Sequence, residues 1–240
     1  MRISKVVIPN AITSMAILTG YGAIMAALNG AYVLSAWLLL LIALLDSLDG
    51  RVARALNATS EFGAQFDSLA DVLNFGLALS ILFYSAFFSE MGLVGMALSF
   101  LPTLFSALRL ARFNVENEDH TSKSPYFVGM PTTLSAILLA SFVIFAGNIW
   151  AGYGPPEIIP AGLVLLVSFL MVSEVPYATN ATLLGGIRQK NHKKIVGILF
   201  LISLLLLPEK SFFVWTIAFV LIGFIRSAFI TIMDREEEGY

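Results

Sequence analysis

Four aspartates stand at regular spacing. Asp46-x-x-Asp49-Gly50-x-x-Ala53-Arg54 is followed, after eight residues, by Gly63-x-x-x-Asp67-x-x-x-Asp71. Carboxylates gathered this densely hold cations, relay protons or sit in salt bridges. Only Arg51 and Arg54 lie nearby, too few to neutralise four acids. With no cysteine in the chain and no histidine beside the acids, any ligand set here is made of oxygen alone. Such a set suits hard cations, Mg²⁺ or Mn²⁺. Four carboxylates could balance two divalent ions, and paired ions commonly clamp phosphate oxygens during displacement.

Helical geometry brings these side chains together. At 3.6 residues per turn, Asp46, Asp49, Gly50, Ala53 and Arg54 share one face. Gly63, Asp67 and Asp71 stack on one face of the next helix. The connector Asn57-Ala58-Thr59-Ser60 is short, so the two helices are expected to be antiparallel neighbours with converging acidic faces. Counted from it, Asp46 and Asp71 lie about 15 Å into their helices at 1.5 Å per residue. Arg54 shares the acidic face and is placed to hold a phosphate through a forked hydrogen-bond pair. Arg51 falls off that face and is expected to snorkel.

The elements that carry the acids are membrane spans. The chain has 240 residues, 58% hydrophobic and 12% charged, with a mean hydropathy of +0.86. Soluble domains are about 45–50% apolar and about 25% charged. A bilayer-spanning helix needs about 20 mostly apolar residues. Apolar runs predict eight, near 9–28, 32–55, 62–88, 92–113, 131–150, 158–174, 194–208 and 211–233. They are too long and continuous for the alternating segments of a β-barrel. The expected fold is all-α: a single polytopic membrane domain over residues 1–240, with no room for a soluble domain. Pro9-Asn10 interrupt the first run and no Ala-x-Ala follows, so that run reads as a retained span. The net charge of −2 leaves no balance for binding nucleic acid.

Loop charge orients the bundle. With the N-terminus inside, the inner segments hold Arg2, Lys5, Arg51, Arg54, Arg109, Arg112, Lys123, Arg188, Lys190, Lys193, Lys194, Arg226 and Arg235, and only Lys210 falls outside. That bias predicts both termini in the cytoplasm, and an acidic cleft opening to the same side. Lys190, Lys193 and Lys194 are expected to touch anionic headgroups.

Ionisable residues inside a span cost about 2.5–3.5 kcal/mol each on insertion scales. One aspartate alone is explained as glue between helices; two per helix at one-turn spacing on successive helices are not. Gly50 and Gly63 read equally as close-packing positions or as space for a ligand. A cation transporter could use the same acids, but transporters usually carry repeats and broken helices, and no repeat is visible here.

The acidic pattern resembles the signature of the CDP-alcohol phosphotransferases, D-x-x-D-G-x-x-A-R-x8-G-x3-D-x3-D, with every fixed position filled. Within that family the chain is most similar to the phosphatidylserine synthases (CDP-diacylglycerol–serine O-phosphatidyltransferases). That similarity rests on Glu61 to Asp71 with Phe75-Gly76, on Leu108-Arg109-Leu110-Ala111-Arg112-Phe113-Asn114, and on Phe127-x-Gly129-Met130-Pro131. Pro9-Asn10-x-x-Thr13 also matches. The likeness covers about residues 5–180, leaving 194–233 as two additional C-terminal helices.

The resemblance implies transfer of the phosphatidyl group of CDP-diacylglycerol to L-serine in the cytoplasmic membrane, with CMP released and two divalent cations as cofactors. It makes Asp46, Asp49, Asp67 and Asp71 the metal ligands, with Asp71 also taking the proton of the attacking hydroxyl. Asn10 and Thr13 would hydrogen-bond the nucleotide, while Gly50, Ala53 and Gly63 leave space for it beside Arg54. Arg109 and Arg112, one face of a helix end, would bind serine's carboxylate or the phosphate together with Asn114; positive-inside anchoring explains the arginines equally well. It further implies a homodimer. Other acceptors, namely glycerol 3-phosphate, an inositol phosphate or choline, remain open within the family.

Overall fold

The computed structural model describes residues 6–58, 60–118, 126–150, 154–173, 176–178, 203 and 207–237. The chain runs through α1 (Val7–Leu28), α2 (Tyr32–Ala55), α3 (Glu61–Asp71), α4 (Leu79–Phe83), α5 (Gly92–Glu118), α6 (Thr132–Ile149), α7 (Ile158–Val172) and α8 (Pro208–Glu237). Two short strands, β1 (Tyr126–Val128) and β2 (Pro176–Ala178), interrupt the helices. The expected helix at 194–208 and the basic cluster at Lys190, Lys193 and Lys194 lie outside the described residues.

The turns close for local chemical reasons. α1 ends at Gly30, whose φ of 78° is left-handed. The Gly30 N–H donates to the Ala27 carbonyl and the Ala31 N–H to the Ala26 carbonyl, the paired bonds of a Schellman ending. α2 ends the same way with Asn57 at φ 49°, one of the few residues besides glycine that tolerates this region. There the Asn57 N–H donates to Arg54 O and the Ala58 N–H to Ala53 O. Ser60 then caps α3, its hydroxyl accepting from the Gly63 N–H at 3.0 Å, which satisfies one orphan donor of the first turn.

Residues 61–118 form a hairpin. Asp71 is followed by a wide π turn, Val72–Ala78, then α4, a second π turn, Tyr84–Phe88, and a tight turn ending at Gly92 with φ 57°. As one rod the 55 residues of Glu61–Val115 would measure about 80 Å at 1.5 Å per residue, far beyond a bilayer's about 30 Å core. Instead α5 returns along the first arm: Ser80 meets Thr103 and Ser68 meets Asn114. Gly76 lets the arms close, because a Cβ there would lie 3.2 Å from Thr103 Cα. Pro102 sits inside α5, and the Thr103 N–H donates across the hairpin to Ser80 Oγ at 3.2 Å. A polar partner of this kind is what lets a membrane helix carry proline.

α6 lies at the centre. Most of its residues are buried, and it packs on α2, α7 and α8. Phe142 stacks with Phe83 and meets Phe213 of α8, while Trp37 of α2 meets Phe212 edge-on. The start of α6 is fixed by β1 pairing with β2, Phe127 opposite Tyr177, and by the Met130 N–H donating to Leu170 O at 2.9 Å. Gly129, at φ 80°, lies against the Met171 and Ser173 carbonyls.

Among the described residues, Val7–Leu28, Tyr32–Ala55, Glu61–Val115 and Thr132–Ile149 are long and apolar enough to cross a membrane, and α7 is a shorter apolar helix. The protein is helical and built for a bilayer.

Candidate functional site

The acids come together, though not by direct packing of α2 on α3. α1 packs along α2 and also lies on α3 and the first π turn, whereas α2 and α3 approach each other little. The two helices are thus not directly packed on each other, although their acidic faces converge as expected. Small residues on α1, namely Ala16, Gly20, Ala23 and Ala27, are buried and let α1 sit close to both partners. The interval between α2 and α3 is thereby left open.

Across that interval, carboxylate oxygens of Asp46, Asp49 and Asp67 all lie within 4.8 Å of one another. Asp49 is 5% exposed, while Asp46 and Asp67 are half-buried. Two threonines on other helices steady the α2 acids. Thr13 of α1 donates to Asp49 Oδ2 at 2.9 Å, and Thr133 of α6 donates to Asp46 Oδ2 at 3.4 Å. Asp71 stands one turn beyond Asp67, outside the tight triad but within electrostatic reach of all three acids and of Arg109.

A cleft of about 260 Å³ opens against the triad. α1 lines it with Pro9, Asn10 and Thr13, and α2 with Asp49, Gly50, Ala53 and Arg54. Ala58 and Ser60 close one end, and Gly63, Ala64 and Asp67 of α3 face them. A Cβ on Gly63 would meet Ser60 Oγ at 3.1 Å and Asn10 Oδ1 at 3.5 Å, so the missing side chain keeps this wall open. Arg54 curls back over Gly50, its Nη1 being 3.5 Å from where a Cβ would stand. The guanidinium thus lies beside the acids at the exposed lip.

The sequence-predicted residues divide accordingly. Asn10, Thr13, Asp49, Gly50, Ala53, Arg54, Gly63 and Asp67 line one cleft, and Asp46 completes the triad. The Thr13 hydroxyl lies 2.9 Å from Asp49 Oδ2 and 3.2 Å from the Pro9 carbonyl, with the carboxylate the nearer acceptor, so its proton is engaged within the protein. The α5 trio stands apart from the cleft lining. Arg109 is half-buried near Asp71, with its Nε buried and without a hydrogen-bond partner. Arg112 is exposed. Asn114 Nδ2 donates to Ser68 Oγ at 3.3 Å and to Gln65 Oε1 at 3.5 Å, tying α5 to α3.

Thr133 and Ser60 are contacts that sequence reading gave no part in the site. Ser60 carried a usable signal, a serine just before a helical run. Thr133 carried none, because nothing in its spacing connects it with a residue 87 positions earlier.

The donor set fits a hard cation: oxygens only, converging within one ligand shell of each other, with excess negative charge. Opposite them an arginine and an asparagine amide can meet phosphate and base or sugar. The arrangement is suited to holding a cation-bound diphosphate.

Comparison with known proteins agrees. A family model described as CDP-alcohol phosphatidyltransferase matches residues 6–172. A Helicobacter pylori (strain J99) protein named CDP-diacylglycerol–serine O-phosphatidyltransferase is 35% identical over 225 residues, 93% of this chain and 92% of its own length. A Methanocaldococcus jannaschii protein of the same name is 34% identical over 172 residues, 72% of this chain and 74% of its own. The archaetidylserine synthase of Methanothermobacter thermautotrophicus is 33% identical over 176 residues, 72% and 70% of the two chains.

Proposed function

The chain belongs to the CDP-alcohol phosphatidyltransferase family, and from that premise we propose that it transfers the phosphatidyl group of CDP-diacylglycerol to L-serine, giving phosphatidylserine and CMP. The serine oxygen forms a bond to the lipid-side phosphorus, the bond from that phosphorus to the bridging oxygen breaks, and CMP leaves with that oxygen. The serine proton passes to a carboxylate, for which Asp71 is the candidate. The single observation that carries this reading is the convergence of Asp46, Asp49 and Asp67 within 4.8 Å beside a cleft that Asn10 and Arg54 also line.

Asp46, Asp49, Asp67 and Asp71 would hold two divalent cations, Mg²⁺ or Mn²⁺, which when bound neutralise diphosphate charge and polarise the phosphoryl group. Arg54 holds a phosphate oxygen at the lip, adding fixed positive charge where negative charge grows on the leaving group. Asn10 reads the nucleotide, and Gly50, Ala53 and Gly63 make room for it. Thr13 acts on the nucleotide end through Asp49. On the far side of Asp71, Arg109 meets the carboxylate of serine, with Arg112 nearby and Asn114 fixing α5 against α3. A cleft of this size takes a polar head and leaves the acyl chains in lipid.

Serine as the acceptor rests on the relatives' names, which differ in lipid yet agree on serine. The eight-span arrangement, with both termini and the cleft facing the cytoplasm, rests on the loop charge. The catalytic core is residues 5–180, α8 adds a further span beyond it, and the working unit is a homodimer in the cytoplasmic membrane.

The test is CMP release from CDP-diacylglycerol by purified protein. Release should require L-serine together with Mg²⁺ or Mn²⁺, stop on chelation and return when either ion is restored. Glycerol 3-phosphate, inositol phosphate and choline run in parallel. Release with one of these and none with serine would overturn the acceptor; indifference to chelators would overturn the metal centre.

A further inference from the structure

We propose that Thr133 of α6 and Thr13 of α1 are positioning residues that set cation affinity, each fixing one α2 carboxylate in the orientation a metal ion needs. The inference rests on the metal-centre reading above and concerns how that centre is held open before the ion arrives.

Asp46 and Asp49 sit on one helix face with oxygens within 4.8 Å of each other, so their mutual repulsion has to be opposed by partners that hold each carboxylate in place. Each has one oxygen held by a hydroxyl from a different helix: Asp49 Oδ2 by Thr13 at 2.9 Å, Asp46 Oδ2 by Thr133 at 3.4 Å. A carboxylate with one oxygen engaged has lost its free rotation, and its second oxygen stays available to the ion. Partners of metal ligands act in this way, and losing one costs about 10–100-fold in affinity.

Both hydroxyls sit on rigid supports. Threonine is stiff at χ1. Thr13 is 5% exposed. Thr133 lies in the first turn of α6, whose start is held by the Met130 N–H on Leu170 O and by Ser135 Oγ donating to Thr132 O at 2.6 Å. Cation affinity is thereby linked to how α6 is seated on α7, far along the chain from the aspartates.

The decisive measurement is Mn²⁺ binding to the purified full-length protein, followed by the electron paramagnetic resonance signal of free Mn²⁺ without either substrate. Thr133→Val keeps the shape and removes the donor. It should weaken Mn²⁺ binding by about tenfold, while Thr133→Ser, which restores a hydroxyl, should bind near wild type. Thr13→Val should show a comparable loss from the other side of the site, and it serves as the second variant if Thr133→Val does not fold. In activity assays the Mn²⁺ concentration for half-maximal CMP release should rise more than kcat at saturating Mn²⁺ falls. Folded valine variants with unchanged Mn²⁺ affinity, or a serine variant as weak as the valine one, would overturn the proposal. Wild-type protein that binds no Mn²⁺ would instead overturn the metal centre itself, and this inference with it.

Discussion

At the residue scale, position on a helix gives the acids different surroundings. Asp67 belongs to the triad, where its oxygen lies within 4.8 Å of those of Asp46 and Asp49, while Asp71 stands one turn deeper beside Arg109. Asp67→Asn should therefore weaken cation and CDP-diacylglycerol binding together, and it should lower kcat on the order of a hundredfold, since a bound metal supplies several kcal/mol to the transition state. Asp71→Asn should abolish turnover yet leave CDP-diacylglycerol binding largely in place, read by equilibrium binding of the nucleotide lipid. Loss of binding in Asp71→Asn would make that residue a metal holder only. The acidic spacing singled out four aspartates from sequence, and the structure brings the oxygens of three of them together. The threonines that steady two of these were not legible from sequence, because a hydroxyl on α6 finds Asp46 only once α6 is seated.

At the element scale, the bundle is held at places where backbone must come close. Gly129 combines a left-handed φ of 80° with contact against the Met171 carbonyl. Gly129→Ala faces a conformational cost of about 1–2 kcal/mol and a steric conflict besides. It should lower the apparent thermal midpoint by several degrees and, because Thr133 rides on the same helix start, should also raise the Mn²⁺ requirement. Measuring both separates the effects: a drop in stability with no change in Mn²⁺ requirement would uncouple this turn from the site. Helix limits were largely legible, since α2 begins and ends where its apolar run and Asn57 predict. The π turns after Asp71 and before Gly92 were not. Apolar periodicity looks alike through an α turn and a π turn, and only packing against α5 distinguishes them.

At the scale of the whole molecule, the helix ends alternate. The α2–α3 connector lies at the same end as the finish of α5, because Gln65 and Ser68 of α3 meet Asn114. The α6–α7 turn lies at the other end. The chain has no cysteine, so single introduced thiols report sidedness without background. In intact cells a membrane-impermeant maleimide should label Glu157→Cys, before α7, and should reach Glu61→Cys, at the mouth of the cleft, only after permeabilisation. Both positions are exposed. The reverse pattern would put the cleft outside and overturn the orientation argued from loop charge.

The sequence by itself determined the apolar helices fit for a membrane, the oxygen-only make-up of the acidic cluster and the family, because hydropathy, residue type and fixed spacing are one-dimensional quantities. The tertiary structure decided which helix fills the space beside α2. Direct contact between α2 and α3 would have paired the acids and closed the gap. α1, lined with alanine and glycine, instead packs on both and holds them apart. That separation creates the cleft, brings Thr13 to Asp49 and leaves Asp46 to a hydroxyl from α6. Such contacts depend on how surfaces fit between residues far apart in the chain, which no local pattern encodes.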